Sequence, residues 1–493
     1  MAVLLFICSS RIHADVTLAP LFRDNTVLQR DKPVPIWGKA DPGEKVNVSF
    51  NRQTQTAVTD NHGRWRVQLA AMPASSTPAK LTVQGKNTLT IQNVLVGEVW
   101  LCSGQSNMEW LVKDSLNAEQ EIAAADFPQI RHFRVPHVAA VSPQGDCGST
   151  WTVCSPASAG AYSAAAYYFG RELCRQLGVP IGLINSSWGG TQIESWMSPA
   201  GLAGDPAGPE VDKRWQEEIQ AMPAKRAAYE KALAQWNKDA AEAKKNGKVF
   251  KIRKPSEPMG IGSRQQPSAL YNAMIAPLVP YAIRGVIWYQ GEANAPRYVE
   301  YRTLFPSMIR QWRHDFRQGD FPFYYVQLAN HRPRKHWAFL REAQEYALKL
   351  PATGQAVAID IGESNGIHPK NKQEVGRRLA LNAFATTYGL EIEYSGPRYA
   401  GMTVERGEVR LRFRHDQGLK TKDPAMPGFE IAGHDRKFVP ASARIDGEAV
   451  VVSSKETKEP VAVRYAWASD PPVSLYNAAG LPAAPFRTDN WDE

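Results

Sequence analysis

A near-continuous apolar run, Val94-Leu95-Val96-Gly97-Glu98-Val99-Trp100-Leu101-Cys102, leads directly into Gly104-Gln105-Ser106-Asn107-Met108. The run predicts a buried strand, and the glycine before Ser106 predicts a sharp turn into a helix-compatible segment over 108–125. Further strand-like apolar runs recur at 130–135, 181–185, 284–290, 321–328 and 355–360, with helical stretches between them. Strands interleaved with helices predict an α/β fold, a parallel sheet flanked by helices over 94–390. In such a sheet the chemistry collects where the strands end, at their carboxyl termini.

The flanking regions follow a different period. Val46, Val48 and Phe50 alternate with polar residues, as do Trp65, Val67 and Leu69, and Asp41-Pro42-Gly43 and Asn61-His62-Gly63 mark turns between them. Residues 15–93 therefore predict a β-rich domain. Alternation returns in Glu408-Val409-Arg410-Leu411-Arg412-Phe413, so 391–493 predicts a second β-rich segment; both are expected as accessory, β-sandwich-like units. Within the α/β region, Trp215, Ile219 and Met222, then Tyr229, Leu233 and Trp236, follow helical spacing on either side of Pro223. That predicts an insertion over 204–258 built of two helices, a hairpin or lid broken at the proline, with its aromatic stripe serving packing.

A chain of 493 residues with 43% hydrophobic and 22% charged residues is an ordinary globular protein of more than one domain. Its net charge of +9 is spread rather than blocked, and the densest stretch, 213–254, mixes both signs, which argues a solvated helical face and no nucleic-acid site. No stretch of about 18 apolar residues is present, so no membrane span is expected. Residues 1–14 carry a short apolar core and resemble a signal peptide, which implies a periplasmic or secreted location. Cys102 and Cys174 sit in apolar contexts, while Cys147 and Cys154 flank a short loop and are candidates for a disulfide in an oxidising compartment.

Four segments fall at expected strand ends: Gly104-Gln105-Ser106-Asn107, Trp188-Gly189-Gly190-Thr191, Trp288-Tyr289-Gln290-Gly291-Glu292, and the stretch from Asp360 to His368-Pro369. Together they offer a nucleophile, a glycine turn whose N–H can approach an oxyanion, a side-chain amide and a base. Taken singly each has a plain structural reading: Ser106 caps a helix, Gly189-Gly190 makes a turn, Gln290 is a core amide and His368 is a buried or capping histidine. Trp110, Trp188, Trp196 and Trp288 lie near these motifs, as core residues or as platforms for sugar rings.

With these motifs and the closing Phe486-Arg487-Thr488-Asp489-Asn490-Trp491, the chain resembles the sialate O-acetylesterase-type carbohydrate esterases of the SGNH hydrolase superfamily over nearly its whole length. The resemblance implies deacetylation of an acetylated glycan through an acyl-enzyme, with Ser106 as nucleophile and His368 as general base and acid. It also implies an oxyanion hole of the Ser106 N–H, the Gly189 N–H and the Gln290 side chain, with Asn107 and Glu292 in support. No cofactor is implied for serine-based ester hydrolysis, and no metal-binding spacing of histidines or cysteines is present.

One departure from that superfamily stands out. Its members commonly carry Asp three residues before the histidine, and here that position is Asn365. The expected acid is therefore Asp360, with Glu363 second, and on this reading Asp360→Asn lowers turnover far more than Glu363→Gln. Two other classes remain open from sequence: a glycosidase using Asp360 and Glu292 as its paired carboxylates, and a non-catalytic carbohydrate-binding protein built on the β domains. No arginine cluster is visible for an acidic sugar, which favours neutral glycans.

Overall fold

The structure, a computed structural model, describes residues 15–491, and the expected leader at 1–14 lies outside the described residues. Its organising element is the Thr88–Gly104 strand of 17 residues. The first half pairs antiparallel with Ser75–Gln84 and parallel with Val27–Gln29. The second half pairs parallel with Ile181–Ser187 on one side and with Gly285–Tyr289 on the other. The N-terminal β region and the α/β region thus share one strand, and the expected boundary at 93/94 falls in its interior.

The main path through this 11-stranded sheet runs Trp151–Val153, Ile130–Arg134, Ile181–Ser187, Thr88–Gly104, Gly285–Tyr289, Phe323–Gln327 and Thr353–Val357. All neighbours on this path pair in parallel except the edge strand Trp151–Val153, which runs antiparallel. The molecule is therefore a mixed α/β protein with additional antiparallel sheets at both ends.

Helices cover both faces of the sheet. Trp100 and Ser103 are an odd number of residues apart on one strand and so point to opposite faces. Trp100 packs edge-on against Phe169 of the Ala164–Leu177 helix, with ring centroids 5.0 Å apart. Trp288, which lies opposite Ser103, packs edge-on at 5.7 Å against Trp312 of the Tyr298–Phe316 helix. These rings are fully buried. Burying an aromatic side chain of this size contributes on the order of 2–3 kcal/mol.

Three local expectations are corrected. The 108–125 segment is not one helix: a single turn, Ser106–Glu109, ends at Trp110, and a 3₁₀ turn (Val112–Asp114) and a short helix (Ala118–Ala123) follow. Trp110 leaves the helical region because its carbonyl accepts from Ala164 N and Leu111 pairs with Ser163, ties that a continuing helix cannot make.

The insertion is one helix, Gly208–Lys245, running through Pro223. The chain that returns after it holds the two halves in line. Met222 lies against Gly260 on one side of the proline, and on the other the Trp236 indole donates to Ile252 O at 2.8 Å and packs on Phe250. Cys147 and Cys154, candidates for a disulfide, are both free thiols. Among the described residues no helix is long and apolar enough to cross a membrane.

Candidate active site

The carboxyl ends of the central strands converge as parallel pairing requires. At the end of Thr88–Gly104, Gly104 has φ +139, and a Cβ there would lie 2.2 Å from Tyr289 O on the neighbouring strand. Only glycine fits that approach, and it releases the chain into the Gln105–Ser106 turn. Ser106 is the first residue of the one-turn helix, where the backbone N–H has no intrahelical acceptor.

His368 comes from the loop after Thr353–Val357. Its Nε2 lies 2.8 Å from Ser106 Oγ, across 262 residues of sequence. Trp110 stacks on the imidazole with centroids 4.9 Å apart and planes 26° apart. The histidine is pushed below its ordinary range by burial and by the Lys372 charge, with Glu109 opposing. The ring is therefore neutral near pH 7 and able to accept the serine proton.

A buried polar chain lies beneath this pair. Asn107 Nδ2 donates to Glu292 Oε1 at 2.5 Å and to Ile367 O at 2.9 Å, while its Oδ1 accepts from Lys372 Nζ at 2.6 Å. The bond to Ile367 O pins the residue before His368 to the residue after Ser106. Lys372 is fully buried, which pulls its ammonium down to about 7. Burial pushes the Glu292 carboxyl up.

The glycine turn is also at the site. A Cβ on Gly189 would fall 3.2 Å from Ser106 Cβ, so this backbone lies directly against the serine. Its N–H donates to Glu109 Oε2 at 2.7 Å. Glu109 Oε1 pairs with His137 Nε2 at 3.0 Å and, more distantly, with Arg134 at 3.6 Å. Burial works to raise the Glu109 carboxyl, and His137, the Gly189 N–H and Arg134 together outweigh it and hold the carboxyl low. His137 in turn stacks on Trp188 at 4.5 Å with planes 4° apart, and Arg264 lies over the same indole.

Other expected residues stand elsewhere. Gln290 is fully buried, with Nε2 on Asn294 Oδ1 (2.7 Å) and Thr191 O (3.2 Å) and Oε1 accepting from Tyr301 OH (3.0 Å), so its amide is committed to the core and not to the serine. Asp360 is gripped by Arg378 at both oxygens, 2.6 and 3.0 Å, and makes no contact with His368. Glu363 accepts from Lys370 N at 3.0 Å and braces the loop that carries His368. Among the described residues no carboxylate lies within ion-pair distance of His368, and Asn365 makes no hydrogen bond to it. Of the four tryptophans, Trp196 and Trp288 are core and Trp110 and Trp188 are at the site.

Sequence reasoning passed over Glu109, Lys372, Arg134 and His137. Glu109 lies three residues after Ser106 in the one-turn helix, a spacing that puts side chains on one helical face, and Lys372 opens the helix that follows the His368 loop. Arg134 and His137 lie at and just beyond the end of the Ile130–Arg134 strand, the edge where function was expected.

A family profile described as "Carbohydrate esterase, sialic acid-specific acetylesterase" matches residues 259–385. The sialate O-acetylesterase of Rattus norvegicus is 30% identical, covering 94% of this chain and 92% of its own, and that of Homo sapiens is 30% identical over 95% and 91%. The chain belongs to the sialate O-acetylesterase family. Among solved structures, a carbohydrate acetylesterase from Xanthomonas citri superposes with a TM-score of 0.82 at 40% identity, covering 97% of this chain and 100% of the other. The span of these matches takes in both β regions and the long helix of this family member, as well as the parallel sheet.

Proposed function

We propose that this carbohydrate O-acetylesterase works through an acyl-enzyme on Ser106, in an active site of the SGNH type. It is a carboxylic ester hydrolase that removes O-acetyl groups from carbohydrates. The observation that carries the mechanism is the 2.8 Å bond between Ser106 Oγ and His368 Nε2 at the open end of the parallel sheet.

In the reaction Ser106 Oγ attacks the acetyl carbonyl while His368 takes its proton. The resulting oxyanion faces the Ser106 N–H and, once Glu109 yields its bond, the Gly189 N–H. Collapse of the intermediate breaks the bond to the sugar oxygen, which leaves with the proton from His368. Water, deprotonated by the same imidazole, then releases acetate and restores the serine. The imidazolium formed at each step lies against the Trp110 face, an attraction of about 1–2 kcal/mol for a partly desolvated cation. The division into a β region at 15–93, a catalytic region at 94–390 and a β region at 391–493 belongs to this reading, with the shared Thr88–Gly104 strand joining the first two. A periplasmic or secreted location belongs to it as well, on the signal-like residues 1–14.

Two substrate classes fit, acetylated sialosides and acetylated plant-type polysaccharides. Arg134 and Arg264, remote in sequence, gather around the Trp188–Gly190 turn, Arg134 through Glu109 and Arg264 over the Trp188 indole, and are the cationic groups that a sialate carboxylate would meet there. The test is acetate release from an aryl acetate, an acetylated sialoside and acetylated xylan, by the wild type and by Ser106→Ala. Ser106→Ala is expected to lose at least about 10³-fold in kcat on every substrate. Retained activity in that variant would remove Ser106 as nucleophile, and a folded wild type that releases no acetate would return the binding-protein reading.

A further inference from the structure

A cavity of about 400 Å³ lies beside the glycine turn, between the Gly208–Lys245 helix, the returning 257–267 segment and the chain just after Thr191. Its size is that of a small-molecule site, about 300–1,000 Å³. Trp215, from the helix, and Met259 form apolar parts of its wall, and Gln192, Glu194, Gln265 and Arg297 form polar parts.

Two features tie it to the catalytic turn. Gln265 Nε2 donates to Gly190 O at 2.8 Å, and Gln192 follows that turn directly. On the far wall Glu194 accepts from Asn294 Nδ2 at 2.9 Å, and Asn294 in turn holds Gln290. Gln192 and Gln265 therefore set part of the cavity wall beside the turn that carries Gly189.

Gln265 and Arg297 bring an amide and a guanidinium to the wall. A hydroxyl is donor and acceptor at once and suits either group. The charged groups are mixed in sign, with Arg214 and Arg297 set against Glu194, so the wall presents no single field that would select an ion. An indole beside hydroxyl-pairing amide and guanidinium groups is the chemistry that recognises a sugar ring, with its apolar C–H face and its polar rim.

We propose that this cavity is a glycan subsite. It holds an uncharged sugar unit of the substrate next to the acetylated one, ring face on Trp215 and hydroxyls on Gln265 and Arg297. The inference rests on the acetylesterase reading of Ser106 and gives the long helix a task, which is to carry one wall of the subsite.

The test compares kcat/KM on an acetylated oligosaccharide with kcat/KM on the corresponding acetylated monosaccharide. Acetylated xylotetraose and acetylated sialyllactose serve as probes, and the one turned over faster is used. Wild type is expected to favour the oligosaccharide, and Trp215→Ala to lower that preference about tenfold, chiefly through KM, with Trp215→Phe restoring most of it. Met259→Ala, in a loop where this side chain is 38% exposed, gives a second reading if Trp215→Ala does not fold.

A wild type with no preference for the longer substrate overturns the subsite. So does a Trp215→Ala preference equal to that of wild type, or an equal loss on both substrates. Activity surviving in Ser106→Ala is a different failure, that of the catalytic reading itself.

Discussion

Lys372 offers the sharpest quantitative test of the site. Its ammonium is fully buried, meets Asn107 Oδ1 at 2.6 Å, and is pulled from 10.5 down to about 7 chiefly by desolvation, against the opposing pull of Glu292. In the unfolded chain it regains the ordinary value, so between pH 7 and pH 10.5 the unfolded state binds more protons than the folded one. Stability must then rise with pH across that window, since the slope follows the excess of protons bound by the unfolded state. Integrated over the shift, the whole effect is about 5 kcal/mol, of which about 3 kcal/mol is gained between pH 7 and pH 9.5.

Lys372→Met keeps the stem and removes the titrating group. Urea unfolding of both proteins at the two pH values gives a double difference from which other titrating groups largely cancel. Wild type is expected to gain about 3 kcal/mol on Lys372→Met between pH 7 and pH 9.5. In the same variant the acid limb of kcat/KM should move up, because the Lys372 charge helps to hold His368 below its ordinary range. A double difference within about 0.5 kcal/mol of zero, near the scatter expected of independent effects, would refute the argument that this lysine is held close to neutrality.

Two further predictions concern the acid and the turn. Asp360→Asn removes one partner of a buried pair whose arginine keeps Glu374 and Val357 O, so it should cost about 3 kcal/mol in urea unfolding while kcat per folded molecule stays within about threefold. Glu363→Gln should affect turnover at least as much, since Glu363 braces the His368 loop; a collapse of kcat in Asp360→Asn alone would restore it as the triad acid. Gly189→Ala places a methyl 3.2 Å from Ser106 Cβ and 3.3 Å from Glu109 Oε2, so kcat should fall about 10- to 100-fold with little change in melting temperature, and unchanged kcat would mean the turn does not bear on the serine.

Much of the fold was legible because it is written in local periodicity. The apolar runs fix the strands, and Gly104-Gln105-Ser106 marks the turn through a backbone geometry that tolerates no side chain. His368 was singled out by the family resemblance, since on its own the residue read equally well as a buried or capping histidine. What escaped depends on which of several partners a polar side chain takes. Asp360 stood at a strand end, yet Arg378 from the following helix reaches it first, and nothing in strand periodicity reports a cation 18 residues on. Gln290 likewise stood beside a glycine at a strand end, and Tyr301 and Asn294 claim both ends of its amide. The unbroken helix through Pro223 is decided by the chain that packs back on both of its halves, a long-range fact that propensity does not carry.

That no carboxylate among the described residues pairs with His368 then has a physical reading. A triad acid raises the basicity of its histidine and stabilises the imidazolium, and here the environment does the reverse, with burial and Lys372 both disfavouring the cation. Such a base is weaker but stays unprotonated to lower pH, so it trades proton affinity for availability. The trade is workable for an ester because an alkoxide leaving group asks less of its general acid than an amine does. The compensation comes from the Trp110 face at 4.9 Å and from the negative field of Glu109, which raises the histidine without touching it. In the proposed mechanism Glu109 would have two parts: while it accepts from Gly189 it keeps that N–H occupied, and when substrate takes the N–H its charge would remain near the His368 imidazolium.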